Sequence, residues 1–255
     1  MNTENQSKIN LLLSSQPVGT IMQSFWLKEQ GYSLELQKRY KKSRWLEAIG
    51  TGALKRTKDK VTYEGAIYSL QKQSKQSIHP AGKTALGLLG LGHFIDFTSN
   101  NVVLFGSNNE NLPTWFKKYD WGTTINYHKT TFLPAEKFLQ EKEFKNFSIK
   151  ISNAPRGIME CLYLVPGEQD LMECFHFMES MNNVRPGVVQ DLLENCKSIK
   201  VKRLFLYLAE KANHDWFKKL EIEKIDLGNG KRSIIKNGVY NSKYKITVPN
   251  ELESK

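Results

Sequence analysis

Two groups of side chains in this sequence have the types and spacing to do chemistry on a polyanion. Gln37, Lys38 and Lys41 lie within five residues of one another. An amide and two ammonium groups at that spacing can reach the edges of neighbouring base pairs, where guanine offers acceptors and adenine both a donor and an acceptor. Ser33, Lys42, Arg44, Lys55 and Arg56 surround them. Hydroxyl, ammonium and guanidinium donors of this kind bind phosphate oxygens, which fixes register without reading sequence. From Lys28 to Lys60 there are ten basic and four acidic residues, so this stretch holds +6 of the chain's +11. Three alternatives are open from this pattern alone: a solvated basic face, an anionic membrane surface, or RNA.

Such residues need a rigid frame. In TIMQSFWLKEQ, the positions of Ile21, Phe25 and Leu27 predict a helix with an apolar face. Gly31 supplies a turn in which φ is free to be positive, and Tyr32 packs at the corner. Ser33 is placed to cap the next helix, LELQKRYKKSRWL, by accepting from its first free N–H groups. In that helix Leu36 and Tyr40 share one face, while Lys38, Lys41, Lys42 and Leu34 fall on the other. Trp45, Leu46 and Ile49 then lead to Gly50-Thr51-Gly52, a reversal followed by Leu54-Lys55-Arg56, with Lys58 and Lys60 beyond. Helix, turn, basic helix and glycine-hinged basic hairpin form the layout of a winged helix-turn-helix, whose second helix enters a major groove.

Other fragments test poorly. Ala81-Gly82-Lys83-Thr84 imitates the end of a phosphate-binding loop, but Ser77 stands where the first glycine belongs, so the expectation is a plain helix start. Asp120 with Glu143-Phe144-Lys145 imitates the carboxylates and lysine of a Mg²⁺-dependent nuclease. Lys142 to Lys145 reads as a helix end, which argues against it. His79, His93, His128, His176 and His214 lack metal-ligand spacing, and Cys161, Cys174 and Cys196 form no C-x-x-C pair. The cysteines read as small buried hydrophobes in a reducing cytoplasm. No cofactor and no metal are expected.

With 255 residues, 40% apolar residues and 28 aromatics, the chain predicts two folded domains rather than one small module or a disordered tail. The expected division is 1–95, a winged helix-turn-helix with a helical extension, and 96–255, a larger mixed α+β domain. A lead helix is expected around Ile9 to Leu13 and another over 61–75. Strands are expected at 101–105, 123–127 and 147–151. Helices are expected at Ala154 to Leu164 with Pro155 in the first turn, from Asp170 to Met181 behind an Asp170 cap, and from Pro186. Lys197 to Lys211 reads as a basic yet apolar helix, with Val201 to Ala209 in the core, and Asn237-Gly238 as a hairpin turn before the alternating KYKITV. MNTENQSKIN has no apolar signal core and no run is of membrane length, so the expected location is the cytoplasm.

The run SSQPVGTIMQSFWLKEQGYSLELQKRYKKSRWLEAIGTGALKR, followed by IHPAGKTALGLLGLGHF, resembles the AbiEi antitoxin family of type IV toxin–antitoxin systems. The likeness rests on Gly19, Trp26-Leu27, Gly31-Tyr32-Ser33, Tyr40, Trp45-Leu46 and Gly50/Gly52. It continues through Ile158 to Pro166, Val201 to Glu210, Asp226 to Arg232 and Tyr244 to Pro249. The resemblance implies a non-enzymatic autorepressor that binds inverted repeats in its own promoter. It also implies a nucleotidyltransferase-like toxin, countered without a stable complex through the second domain, and in some operons phage defence by abortive infection. The rival expectations are a stand-alone winged-helix regulator and the nuclease. Two positions depart from the family pattern. Arg44 stands where glycine is expected, and the reading adopted is that the turn tolerates it and gains a phosphate contact. Ala154-Pro155-Arg156 lacks the acidic residue expected before the arginine.

Overall fold

The computed structural model describes residues 7–91, 101–235 and 238–253. The fold class is α+β, with an N-terminal domain followed by a larger one. Two compact units share the chain. One holds the described residues up to His79 together with Asn109–Thr124 and Glu141–Lys150; the other holds the described remainder.

The first unit begins with α1 (Lys8–Ser15), capped by Ser7, and β1 (Met22–Gln23). Then come α2 (Ser24–Glu29), α3 (Leu34–Lys42), β2 (Leu46–Gly50), β3 (Ala53–Arg56) and α4 (Tyr63–Lys72). β3 lies between β1 and β2, antiparallel to both. This is the element order of a winged helix-turn-helix, with β2–β3 as the wing. The core beneath it gathers Ile9, Leu12, Met22, Leu27, Tyr32, Tyr40, Leu46 and Leu54.

The helix expected from Thr20 starts four residues later. Met22 and Gln23 are extended instead, because they pair with Leu54 and Ala53 and complete the sheet. Phe25, expected on the apolar face, is exposed as a result, whereas Leu27 is fully buried. Ser33 caps α3 as expected, accepting from Leu36 N at 3.2 Å, and Gly31 takes φ +83° in the preceding turn.

After α4 the chain continues with β4 (His79–Pro80), α5 (Gly82–Leu88), β5 (Asn101–Gly106) and β6 (Thr124–Lys129), with the strands ordered β4–β5–β6. The short α6 (Thr114–Lys118) precedes β6 and belongs to the first unit. β7 (Leu139–Glu143) and β8 (Ser148–Ser152) pair with each other, and β7 replaces the helix end expected near Lys142. Four helices follow: α7 (Ala154–Leu164), α8 (Leu171–Glu179), α9 (Pro186–Asn195) and α10 (Ile199–Lys211). Asn153, Asp170 and Ser198 cap three of them, and Pro155 sits in the first turn of α7. Val201 to Ala209 are all buried. β9 (Val239–Asn241) and β10 (Ile246–Val248) form a hairpin whose reversal lies at 242–245, after the Asn237-Gly238 signal; Asn237 is outside the described residues. The short α11 (Asn250–Glu253) ends the description.

Three side chains explain why the tail and the sheet edge hold. Arg203, 1% exposed, donates to the carbonyls of Leu227, Gly228, Gly230 and Lys245. Arg156 donates to Glu160 at 2.7 Å and to the carbonyls of Pro134 and Lys137. The other Glu160 oxygen accepts from Gly82 N and from the Ser152 hydroxyl. A buried ion pair needs further hydrogen bonds to offset the water it loses, and here both carboxylate oxygens and the Nε and Nη1 of the guanidinium have them.

Candidate nucleic-acid interface

The geometry of the first unit separates the basic residues into two sets. Lys38, Lys41 and Lys42 stand on the solvent face of α3, and Arg44 follows in the turn after it; all four are exposed. Among the described residues their side chains have no hydrogen-bond or ion-pair partner. Ammonium and guanidinium groups held out in water are available to a polyanion at little desolvation cost.

The second set is engaged inside the protein. Gln37 is 4% exposed. Its Nε2 donates to the carbonyls of Tyr32 and Ser24, and its Oε1 accepts from the Ser24 hydroxyl at 2.6 Å. That amide fixes α3 against α2 and is removed from the base-reading candidates: freeing it would leave two carbonyls and a hydroxyl unpaired. Lys55 is 9% exposed; its Nζ donates to Asp59 O at 2.9 Å and lies 3.4 Å from a Glu47 carboxylate oxygen. Arg56 donates to the carbonyls of Leu13 and Gln16. These are orphan acceptors at the C-terminal end of α1, where a cation also complements the helix dipole. Lys55 and Arg56 are therefore braces of the wing rather than free phosphate donors. Ser33 is exposed, but its hydroxyl oxygen is occupied as the α3 cap.

Arg44 corrects a second expectation. Its φ is +58°, so the backbone does adopt the left-handed region in which glycine is at home. A side chain there costs on the order of 1 kcal/mol. The turn does not avoid the strain. It carries it, closed by Arg44 N donating to Lys41 O and Trp45 N to Tyr40 O.

Between α3 and the wing lies an open groove of about 420 Å³. Leu34, Lys38 and Lys41 line one side, Ala48 and Gly50 to Leu54 the other, with Ser24 and Gln37 also on its wall. One of its features was legible in the sequence and one was not. Leu34 is exposed there although apolar, as its expected place opposite the Leu36–Tyr40 face implies. Trp115 of α6 packs against the base of the wing, so close that a Cβ on Gly50 would come within 2.8 Å of the Trp115 Cβ. No local pattern links those two residues.

The alternative chemistries find no site. The N-terminus of α5, where a phosphate loop would bind, is filled by the Glu160 carboxylate at 2.9 Å from Gly82 N. Asp120, Glu143 and Lys145 are all exposed, and Asp120 spends one oxygen on Gly122 N. Among the described residues no three His, Cys, Asp or Glu side chains are grouped to hold a metal. His79 and His214 are buried against the carbonyls of Ser77 and Met178, and His93 is outside the described residues. All three cysteines are free and buried, and burial pushes the Cys196 thiol up to about 11. No helix among the described residues is long and apolar enough to cross a membrane.

A solved structure of the RV2827C protein from Mycobacterium tuberculosis has a similar fold, with TM-score 0.59 at 11% identity, covering 93% of this chain and 88% of that one. At that identity the likeness concerns fold alone. No curated protein matches the chain. Residues 5–97 match the model of the AbiEi antitoxin transcriptional regulator's N-terminal domain, and residues 99–249 match that of the AbiEi antitoxin transcriptional regulator of type IV toxin–antitoxin systems. Together these matches span nearly the whole sequence, and the chain belongs to the AbiEi antitoxin family of transcriptional regulators.

Proposed function

We propose that this protein represses its own operon by laying α3 in the major groove of promoter DNA at inverted repeats. It then counters a nucleotidyltransferase-like toxin encoded alongside, without a stable complex. The carrying observation is the solvent face of α3, where Lys38, Lys41 and Lys42 stand exposed without protein partners among the described residues. Lys38 and Lys41 are placed at base edges; Lys42 and Arg44 take phosphates. The wing reaches the backbone through exposed Thr51, Lys58 and Lys60, while Lys55 and Arg56 hold it in shape. The division of labour at about residue 95 is supported by the two family matches meeting between residues 97 and 99. The reading places the protein in the cytoplasm, needs no cofactor and assigns no catalytic residue.

The test is binding of the full chain to the duplex upstream of its own gene, across a salt series, beside a scrambled duplex. Preference for the native sequence with a steep salt slope is expected. Equal, weak binding to both duplexes would refute it. For the antitoxin half, co-expression with the neighbouring toxin gene should restore growth without the two proteins co-purifying. Rescue that requires a tight complex would replace that mode of neutralisation with a direct one.

A further inference from the structure

The exposed residues of α3 are Leu34, Glu35, Lys38, Arg39, Lys41 and Lys42. Five are charged. Leu34 is 56% exposed, stands first in the helix after the Ser33 cap, and lines the groove facing the wing with Lys38 and Lys41. An isolated exposed leucine is ordinary on a protein surface. Here, however, it occupies the N-terminal turn of the helix that carries Lys38, Lys41 and Lys42 on its solvent face, the part of such a helix that meets base edges. The far wall is Ala48 and Gly50 to Leu54, where Leu54 is buried in the core and the remaining side chains are small, and Leu34 stays 56% exposed across from it.

We infer that Leu34 reads the C5-methyl of a thymine in each half-site. This rests on the reading that α3 enters the major groove. The thymine methyl is the one apolar group a base pair presents there, so a leucine at a base edge discriminates for thymine and has nothing to gain from the other bases. The helix also sets the spacing. Leu34 and Lys38 share a face one turn apart, about 6 Å along the axis, close to two base-pair rises of about 3.4 Å. Lys38 carries donors only and suits guanine O6 and N7. The half-site therefore contains a thymine within about two base pairs of a guanine, read by Leu34 and Lys38 together.

The experiment replaces thymines of the footprinted half-site, one at a time, with deoxyuridine, which removes only the methyl. The full-length wild-type protein should lose roughly fourfold in affinity at one position per half-site, the equivalent of leaving one methyl-sized group unburied. Leu34→Ala should bind the native duplex more weakly and be indifferent to deoxyuridine at that position, with an unchanged salt slope. Leu34→Met, still aliphatic, should recover most of the methyl sensitivity. Sequence-preferring wild-type binding with no methyl-sensitive thymine overturns the inference and leaves the operator-binding reading intact. So does a methyl effect of the same size in Leu34→Ala. Failure of the wild type to prefer the unsubstituted native duplex overturns both.

Discussion

Two basic helices of this chain carry the same Lys-Arg pair to opposite ends. In α3, Lys38-Arg39 are both exposed; in α10, Lys202-Arg203 are both buried. The helices differ in what folds back over them. Residues 227–245 lay four carbonyls onto the Arg203 guanidinium, and the carbonyls of Tyr163 and Val165 receive Lys200 Nζ. Burial holds the Lys200 amine below its ordinary range, because the charged form loses water there. Over α3 no segment among the described residues supplies acceptors to Lys38, Lys41 or Lys42. A cation's availability is thus decided by the irregular chain and helix C-terminal ends near it, since helix interiors spend their own carbonyls internally.

The largest effect should come from α10. Arg203→Ala removes the donor to the part-buried carbonyls of Leu227, Gly228 and Gly230 and opens a cavity where a fully buried side chain stood, so a loss of roughly 3–5 kcal/mol is expected by urea unfolding. A loss under about 1 kcal/mol would mean that the tail does not depend on this cation, and the contrast between the helices would fail. The matching change in α3, Lys38→Ala, should leave stability within about 0.5 kcal/mol. It should instead lower discrimination between native and scrambled duplex by roughly 1–3 kcal/mol if the amine meets a guanine. An unchanged specificity ratio in binding titrations would move Lys38 to the phosphates.

The wing supplies an intermediate case. Charge alone made Lys55 a phosphate donor; position makes it a brace between Glu47 and the Asp59 carbonyl, with the Asp59 carboxylate in turn receiving Gly19 N at 3.0 Å. Lys55→Ala should cost about 1 kcal/mol of stability and leave the salt slope of binding where it was. A slope smaller by about 1 would return Lys55 to the DNA backbone.

What the amino-acid order revealed follows the range of the interaction. Caps and first-turn prolines act within three residues, so Ser33, Asp170 and Pro155 were readable, and with them the ends of α3, α8 and α7. β1 was not. Two residues gain strand character only from Leu54 and Ala53 across the sheet, while their own spacing matches a helix. β7 was hidden for the same reason: LQEKE has no alternation of apolar residues to betray a strand. At the site, the free lysines were identified because an exposed helix face follows from periodicity. The engaged ones were misassigned because their partners are distant: Arg56 meets Leu13 and Gln16, 43 and 40 residues away. Gln37 has nearer partners, but a glutamine on a helix gives no local sign of whether its amide faces water or the preceding helix.

Arg44 offers the smallest effect and the cleanest separation of shape from charge. Its φ of +58° means that glycine suits the backbone better and arginine remains at a cost. Arg44→Gly relieves left-handed strain of about 1 kcal/mol, but releases extra freedom in the unfolded chain that returns about half of it. Arg44→Ala keeps the strain and loses the same charge. The glycine variant should therefore be more stable than the alanine variant by about 0.5 kcal/mol, while both lower the salt slope by about 1 if the guanidinium holds a phosphate. Equal salt slopes in wild type and both variants would show that Arg44 contacts no phosphate and that its strain serves no DNA contact. A smaller slope in both, with the expected stability gap, would show that this turn accepts a strained backbone in exchange for a cation beside the reading helix.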